Sequence, residues 1–373
     1  MIHPAHAMSF ADLVDGLDAA KAAKCVSEQQ DGNGLSLFCY TKGCVYERAW
    51  TPITMAARGL ILDRRESRIV ATPFPKFFNL GEMLQEPPAL GFETFEKLDG
   101  SLVILFFHNG EWRTATKGSF GSSQAQWAAD WIKRFDLSLL PSSVTYLCEA
   151  IYPENRIVIH YDAADLVLLA AYANDGVELS RADLEYTATR MGWRCALRHE
   201  FESIADLVAH VGTLKSDEEG FVLRFENGLR LKVKGEEYRR IHALISRCTP
   251  LAMWEAMAAG DNMDLIRREL PEEFWADFDQ ITGLIGGRVS DVATRASKEA
   301  AKVAHLSDKE VGLQLDSFPE DVRRLIFPLR KSGDLLANPK SRQAVFKQIR
   351  PTANQLPGYV PSYAMNRVVE ELL

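Results

Sequence analysis

The sequence predicts an α+β protein in two parts. Antiparallel sheets and helices are expected over residues 1–240, and an all-helical C-terminal domain over 241–373. Three observations carry this expectation. The 373 residues exceed what one compact unit usually holds, so two domains are the default. In the first two thirds, strand-like and helical runs are interspersed without a regular βαβ alternation, which favours largely antiparallel sheets. After about residue 236 the strand pattern fades and helical composition takes over.

Element by element, "LSLFCYTKGCVYERAW" has two strand-like runs flanking a Thr41-Lys42-Gly43 turn, a hairpin pattern. "RGLILD", "SLVILFF", "VTYLCEAIY" and "DLVLLAAY" read as further strands, the last ended by the Asn174-Asp175-Gly176 turn. "SSQAQWAADWIKRF" and "RADLEYTATRMG" have helical composition, and "SIADLVAHVG" begins at an N-cap, Ser203. "EGFVLRFENGLRLKVK" is two strands around Asn227-Gly228, the strongest short hairpin pattern. In the tail, Gly286-Gly287 is expected to break a long helix. Ser307 and Glu310 have capping-box spacing, Pro319 suits a first helical turn, and Asn338-Pro339 is an N-cap followed by proline.

Composition excludes several classes. At 47% hydrophobic and 25% charged residues the chain is an ordinary globular protein. The N-terminus has no apolar segment of the secretory kind, and no run is long enough to span a bilayer, so a cytoplasmic protein away from membranes is expected. Six cysteines without C-x-x-C spacing fit buried reduced thiols better than zinc ligands or disulfides. A net charge of −8 argues against indiscriminate polyanion binding. From Arg323 to Arg367, however, nine Lys/Arg face one acid, Asp334. Such a run is either a solvated helix face or a phosphate-contacting surface.

The chemistry-bearing residues lie in the first domain. Lys97 stands between a β-prone approach and an apolar strand, followed by Asp99 and Gly100. A strand ending in Lys-x-Asp-Gly can hold a lysine rigidly at a pocket rim. A neutral lysine amine is a capable nucleophile, which requires desolvation or neighbouring cations. Taken alone, the same four residues are as consistent with a surface lysine before a β-turn. Lys232 and Lys234 are two apart and share one strand face, close to Glu219-Gly220 at the hairpin's entrance. Glu149 sits in an otherwise apolar strand, where an unpaired carboxylate is costly. Arg58 precedes a buried-looking strand, "FPKFFNLGE" supplies Lys76 and Phe78, and "TATKGS" supplies Lys117.

Taken in order, Lys97-Leu98-Asp99-Gly100, Glu149 with "PENRIV", "EGFVLRF" and "LKVK" resemble the signature of covalent nucleotidyltransferases: DNA ligases, RNA ligases and capping enzymes. "RGLILD", "KFFN" and "TKGS" resemble specifically the bacteriophage-type ATP-dependent RNA ligase 1 family. The resemblance covers roughly residues 35 to 240, and the chain length also suits that family. It departs at Leu98, where an acidic residue can stand, and the tail is matched by composition rather than by motifs.

The resemblance implies a nucleotidyltransferase (ATP-grasp-like ligase) domain at 1–240 and an RNA-docking helical domain at 241–373. It implies an ATP-dependent RNA ligase that joins 3′-OH and 5′-phosphate RNA ends through lysyl-AMP and RNA-adenylate, in repair of RNA such as a nicked tRNA. Lys97 is then the nucleophile, with Lys232, Lys234 and Glu219 catalytic beside it. Arg58, Lys76, Phe78, Lys117, Glu149, Lys232 and Lys234 contact the nucleotide, although Phe78 fits plain core packing equally well. Glu149, Glu219 and Asp99 hold Mg²⁺ or Mn²⁺, in part through its waters. The chain shows no G-x-x-x-x-G-K-[ST] run, so separate end-healing kinase and phosphatase partners are expected. A capping-type guanylyltransferase, or a non-catalytic RNA-binding protein on the same fold, is the alternative. A barrel-like tail would favour the first and loss of Lys97 the second.

Overall fold

The structure, a computed structural model, describes residues 2–82, 87–155, 157–352 and 355–362. Two compact units divide the chain, one within Met1–His242 and the other within Ala243–Ala364. The first contains all the described strands: β1 (Val26–Gln30), β2 (Leu35–Tyr40), β3 (Arg58–Asp63), β4 (Arg68–Ala71), β5 (Phe78–Asn79), β6 (Phe92–Glu96) and β7 (Ser101–His108). They continue as β8 (Glu111–Thr116), β9 (Val144–Ile151), β10 (Asp165–Ala173), β11 (Arg198–His199), β12 (Gly220–Phe225) and β13 (Arg230–Lys234). Three sheets result, with strand orders β1-β2-β3-β4, β10-β9-β7-β8 and β11-β6-β12-β13-β5. The β13–β5 pairing is parallel, and the other strand pairs are antiparallel.

The continuous apolar run of β7 follows from where its sheet lies. Val103 and Leu105 face a cluster with Tyr146, Cys148 and Trp131, completed by the helices Ser123–Ile132 and Arg181–Met191. Ile104 and Phe106 point the other way, against Leu35, Leu37 and Ile61 of the first sheet. A strand covered on both faces has no reason to alternate. The third sheet is covered by the helix Ile204–Val211, whose Leu207 and Val211 meet Phe221, Leu223 and Phe225.

The Thr41 hairpin is not formed. Thr41 instead caps a short helix, Lys42–Tyr46, by accepting the Cys44 N–H at 3.1 Å. A brief apolar run after a threonine satisfies either period, and the cap decided it. The expected break at Gly286-Gly287 is also absent: one helix runs from Trp275 to Lys302. Its buried stripe of Ile281, Ile285, Val289 and Val292 offsets the low helix preference of two glycines. Pro319 occupies the N-cap position of Glu320–Arg323 rather than its first turn. Ser203, the Ser307–Glu310 capping box, Asn338-Pro339 and the Asn227-Gly228 hairpin take the expected places. All six cysteines are free, and Cys39, Cys44, Cys148 and Cys248 are buried. Among the described residues, no helix is long and apolar enough to cross a membrane.

Gly287 is exposed inside the long helix, and a Cβ there meets nothing within 4 Å. Gly287→Ala should therefore raise the stability of the helical unit by about 0.5–1 kcal/mol, read as a higher urea midpoint. A lower midpoint would contradict a helix that runs unbroken through this position.

Candidate active site

Lys97 to Gly100 form the crossing between two sheets. The Lys97 N–H donates to the Gly220 carbonyl at 2.8 Å, extending the β6–β12 ladder, while Ser101 opens β7 opposite Ala150 of β9. A side chain on Gly100 would run into the Ala150 carbonyl and Ile151, so glycine is required by close approach. Leu98 packs with Ile151, Val167 and Ala196, which explains an apolar residue at that position. The crossing pins Lys97 from both ends.

Asp99 anchors this crossing and is 2% exposed. Its Oδ2 accepts the Val158 and Ile159 N–H groups at 2.8 Å each, and its Oδ1 accepts the Tyr238 hydroxyl at 2.7 Å. Its own N–H donates to the Tyr161 hydroxyl at 2.8 Å. Both oxygens thus accept hydrogen bonds from the protein, which tie the Lys97–Gly100 crossing to Val158, Ile159 and Tyr238, while Oδ1, with one donor, keeps a lone pair for the cation expected there. Tyr161 and Tyr238, which sequence reasoning missed, complete its shell.

Beside it lies one shared carboxylate. Glu219 Oε1 is 2.8 Å from Lys97 Nζ and 3.1 Å from Lys234 Nζ, with Glu219 only 3% exposed. Gly220 makes this possible. It sits at φ +130°, and a Cβ there would overlap the Val233 carbonyl across the hairpin. Glycine lets β12 and β13 approach closely enough to set Glu219 beside Lys234. Lys234 also lies over the Tyr238 ring, 5.3 Å from its centre. Lys232 pairs with Val222 on one side and with Asn79 of β5 on the other, and is more open than Lys234. The β5–β13 pairing therefore brings the "KFFN" segment alongside the two lysines.

Lys76 and Phe78 form part of an aromatic box that the sequence did not disclose. The buried Lys76 Nζ lies over Phe78, Trp50 and Tyr40 at 5.0, 5.2 and 5.5 Å from their ring centres. Three ring faces offset part of the cost of taking an ammonium out of water. Lys117 Nζ approaches the Tyr40 ring from the turn after β8, at 5.9 Å. Its backbone passes directly over Gly59, beside Arg58. The Arg58 guanidinium lies over Phe77 at 5.0 Å, and its buried Nη1 has no hydrogen-bond partner among the described residues.

Glu149 faces the same space. Burial pushes its carboxyl up from near 4.5 to about 7; Lys97 and Arg58 pull it down, and Glu219 and Asp99 push it further up. Glu219 Oε2, also buried, has no hydrogen-bond partner among the described residues. A positive charge beside the bare Glu219 oxygen and the Glu149 carboxyl, which burial and neighbouring carboxylates raise, would offset the cost of both. Among the described residues no three His, Cys, Asp or Glu are gathered as a metal cage. The donors therefore fit a cation that takes one or two protein oxygens and completes its shell with water or ligand oxygens, as Mg²⁺ does. Lys97, Lys234, Glu219, Glu149 and Arg58 converge by this geometry, while Lys76, Phe78 and Lys117 gather at the aromatic box.

The basic run of the tail divides in two. Arg323 donates to Asp316 and to the Phe318 carbonyl, and Arg330 to Asp308 and the Val303 and Leu306 carbonyls. Arg342 donates twice to the Leu336 carbonyl. These three tie loops together. Arg324, Lys331, Lys340, Lys347 and Arg350 are exposed. Arg367 lies outside the described residues.

Residues 56–238 match the model of a family described as RNA ligase. An Autographa californica nuclear polyhedrosis virus protein, to which bifunctional polynucleotide kinase/RNA ligase activity is ascribed, is 28% identical over 245 residues. The match covers 58% of this chain and 35% of that protein. RNA ligase 1 of bacteriophage TS2126 is 28% identical over 176 residues, covering 42% of this chain and 44% of its own. The chain thus spans between a third and a half of the length of these relatives. An archaeal ATP-dependent RNA ligase superposes over 77% of this chain and 83% of its own, with a TM-score of 0.46 and 12% identity.

The Glu149 carboxyl yields a pH test. Its folded value lies above its ordinary one, so the stability it contributes is complete below about pH 4.5 and is lost as pH rises through about 7. Glu149→Gln cannot ionise. Relative to the parent chain, it should gain stability between pH 5 and pH 7.5, read as urea midpoints without divalent cation. A stability difference that stays constant across that interval would contradict the buried, proton-retaining carboxyl.

Proposed function

We propose that this chain, whose residues 56–238 match the RNA ligase family model, is an ATP-dependent RNA ligase that joins 3′-OH to 5′-phosphate ends. The observation that carries the reading is the lysine held at the crossing of two sheets. Lys97 shares the Glu219 carboxylate with Lys234 and stands near the raised Glu149 carboxyl and an Arg58 guanidinium whose Nη1 has no hydrogen-bond partner among the described residues.

The chemistry proceeds in three displacements at phosphorus. Lys97 Nζ, having given up a proton, forms a P–N bond to the α-phosphorus of ATP, and pyrophosphate leaves. An oxygen of the RNA 5′-phosphate then attacks the same phosphorus, breaking the P–N bond, and the amine recovers its proton. Finally the 3′-OH of the other end attacks the activated 5′-phosphorus, loses its proton and expels AMP. Each step needs alignment and charge neutralisation more than covalent help from the protein.

The named side chains suit those needs. Lys234 and Lys232 flank the nucleophile and neutralise charge on the α-phosphate. The bare Arg58 Nη1 is a donor for an outgoing phosphate oxygen, with Lys117 beside it and Lys76 adding its charge from the aromatic box. Phe78, Trp50 and Tyr40 offer ring faces to the same region. Glu219 and Glu149 would hold a divalent cation, which supplies positive charge to the phosphates and relieves Lys97 of its ion pair. The exposed tail cations Arg324, Lys331, Lys340, Lys347 and Arg350 are suited to an RNA backbone, with a nicked tRNA as the substrate class. Ends lacking a 5′-phosphate or 3′-OH would be healed first by a kinase and phosphatase.

Lys97→Ala should abolish transfer of label from α-labelled ATP to the protein and sealing of ordinary 5′-phosphate ends. It should still seal pre-adenylylated RNA, because the last displacement does not use the lysine. Lys97→Arg should fail equally, since guanidinium stays protonated. Lys232→Ala and Lys234→Ala should each slow labelling by on the order of a hundredfold. Retained label on Lys97→Ala would sink the assignment. A wild-type chain that binds RNA but takes no label would leave the non-catalytic reading standing.

A further inference from the structure

In the helical unit, the helices Pro250–Ala259 and Pro339–Gln348 pack side by side and leave a cleft of about 440 Å³. One wall carries Trp254, Glu255 and Ala258; the other carries Phe346, Lys347 and, just past the helix end, Arg350. Trp254 is only half-buried, yet its ring is fixed, because its Nε1–H donates to the Phe346 carbonyl at 2.8 Å. The Arg350 guanidinium lies over that ring, 5.4 Å from its centre. Lys347 and Arg350 are exposed, and residues 339–350 carry four cations and no acid.

We propose that this cleft binds a single unpaired nucleotide of the RNA, an inference that rests on the RNA ligase reading. A fixed indole face is a platform on which any base can stack, and the Arg350 guanidinium that now lies over that face would close over the second face of the inserted base. The volume lies within the range of small-ligand sites, roughly 300–1,000 Å³. The small Ala258 leaves room on the wall beside Trp254. Lys347 and Arg350 meet the phosphate that accompanies the base. Glu255, repelled by phosphate, accepts from an amino or imino edge instead. A paired base cannot enter, so the cleft selects loops, bulges and frayed ends over duplex.

The test uses the full chain and two RNA probes of similar phosphate count: a hairpin with an unpaired loop, and a blunt duplex. Binding is followed by anisotropy at fixed salt. Trp254→Ala should weaken hairpin binding by on the order of tenfold and leave the duplex unchanged, whereas Trp254→Phe, which keeps a ring, should retain most of the affinity. Ala258→Phe fills the cleft without altering charge and should reproduce the selective loss. Unchanged hairpin binding in both Trp254→Ala and Ala258→Phe would overturn the proposal. So would an equal loss on hairpin and duplex. ATP labelling of the wild-type chain is read in parallel. Its absence would count against the ligase reading, while hairpin selectivity would still decide the cleft.

Discussion

The first unit of this protein is organised around one carboxylate, Glu219, shared between the ammonium groups of Lys97 and Lys234. The three residues belong to different stretches of chain. They meet because Gly220, at a φ that side chains rarely adopt, lets β12 lie against the backbone of Val233 and Lys234. The β6–β12 ladder then carries Lys97 to the same place through its N–H bond to Gly220. A single glycine thus permits the close approach on which the shared ion pair rests.

Around that centre, charges fall into two kinds. Asp99 accepts from three donors, and these bonds hold the crossing in shape. Glu219 Oε2 and Arg58 Nη1 are the opposite, buried polar atoms with no hydrogen-bond partner among the described residues, and burial raises the Glu149 carboxyl beside them. Leaving such groups bare costs free energy, which a bound polyphosphate and cation would return. The pattern resembles preorganisation: the site is built for charge that arrives with the ligand.

The helical unit shows why a count of cations is a poor guide to a binding surface. Arg323, Arg330 and Arg342 spend their donors on backbone carbonyls and aspartates, closing loops within the unit. Lys347 and Arg350 remain exposed beside a held tryptophan. Arginine serves both ends because its planar fork suits carbonyl clusters as well as phosphates.

The sequence by itself determined the strands β2, β3, β7, β9 and β10, the Asn227-Gly228 hairpin of β12 and β13 and the helical second unit, and it singled out Lys97, Glu149, Glu219, Lys232 and Lys234. These are local facts: periods of two and 3.6, turn chemistry, and charged residues inside apolar runs. Where two local readings were equally good, as at Thr41 and at Gly286-Gly287, capping and a buried stripe settled them. Only the tertiary structure decided that Asp99 is tied to Val158 and Ile159 and that Lys76 sits in a box with Tyr40 and Trp50. Only it showed Tyr161 and Tyr238 as the partners of Asp99. Those partners lie on segments tens of residues apart, or more than a hundred in the case of Tyr238. No spacing encodes them, because their meeting depends on how three sheets are stacked rather than on any one strand.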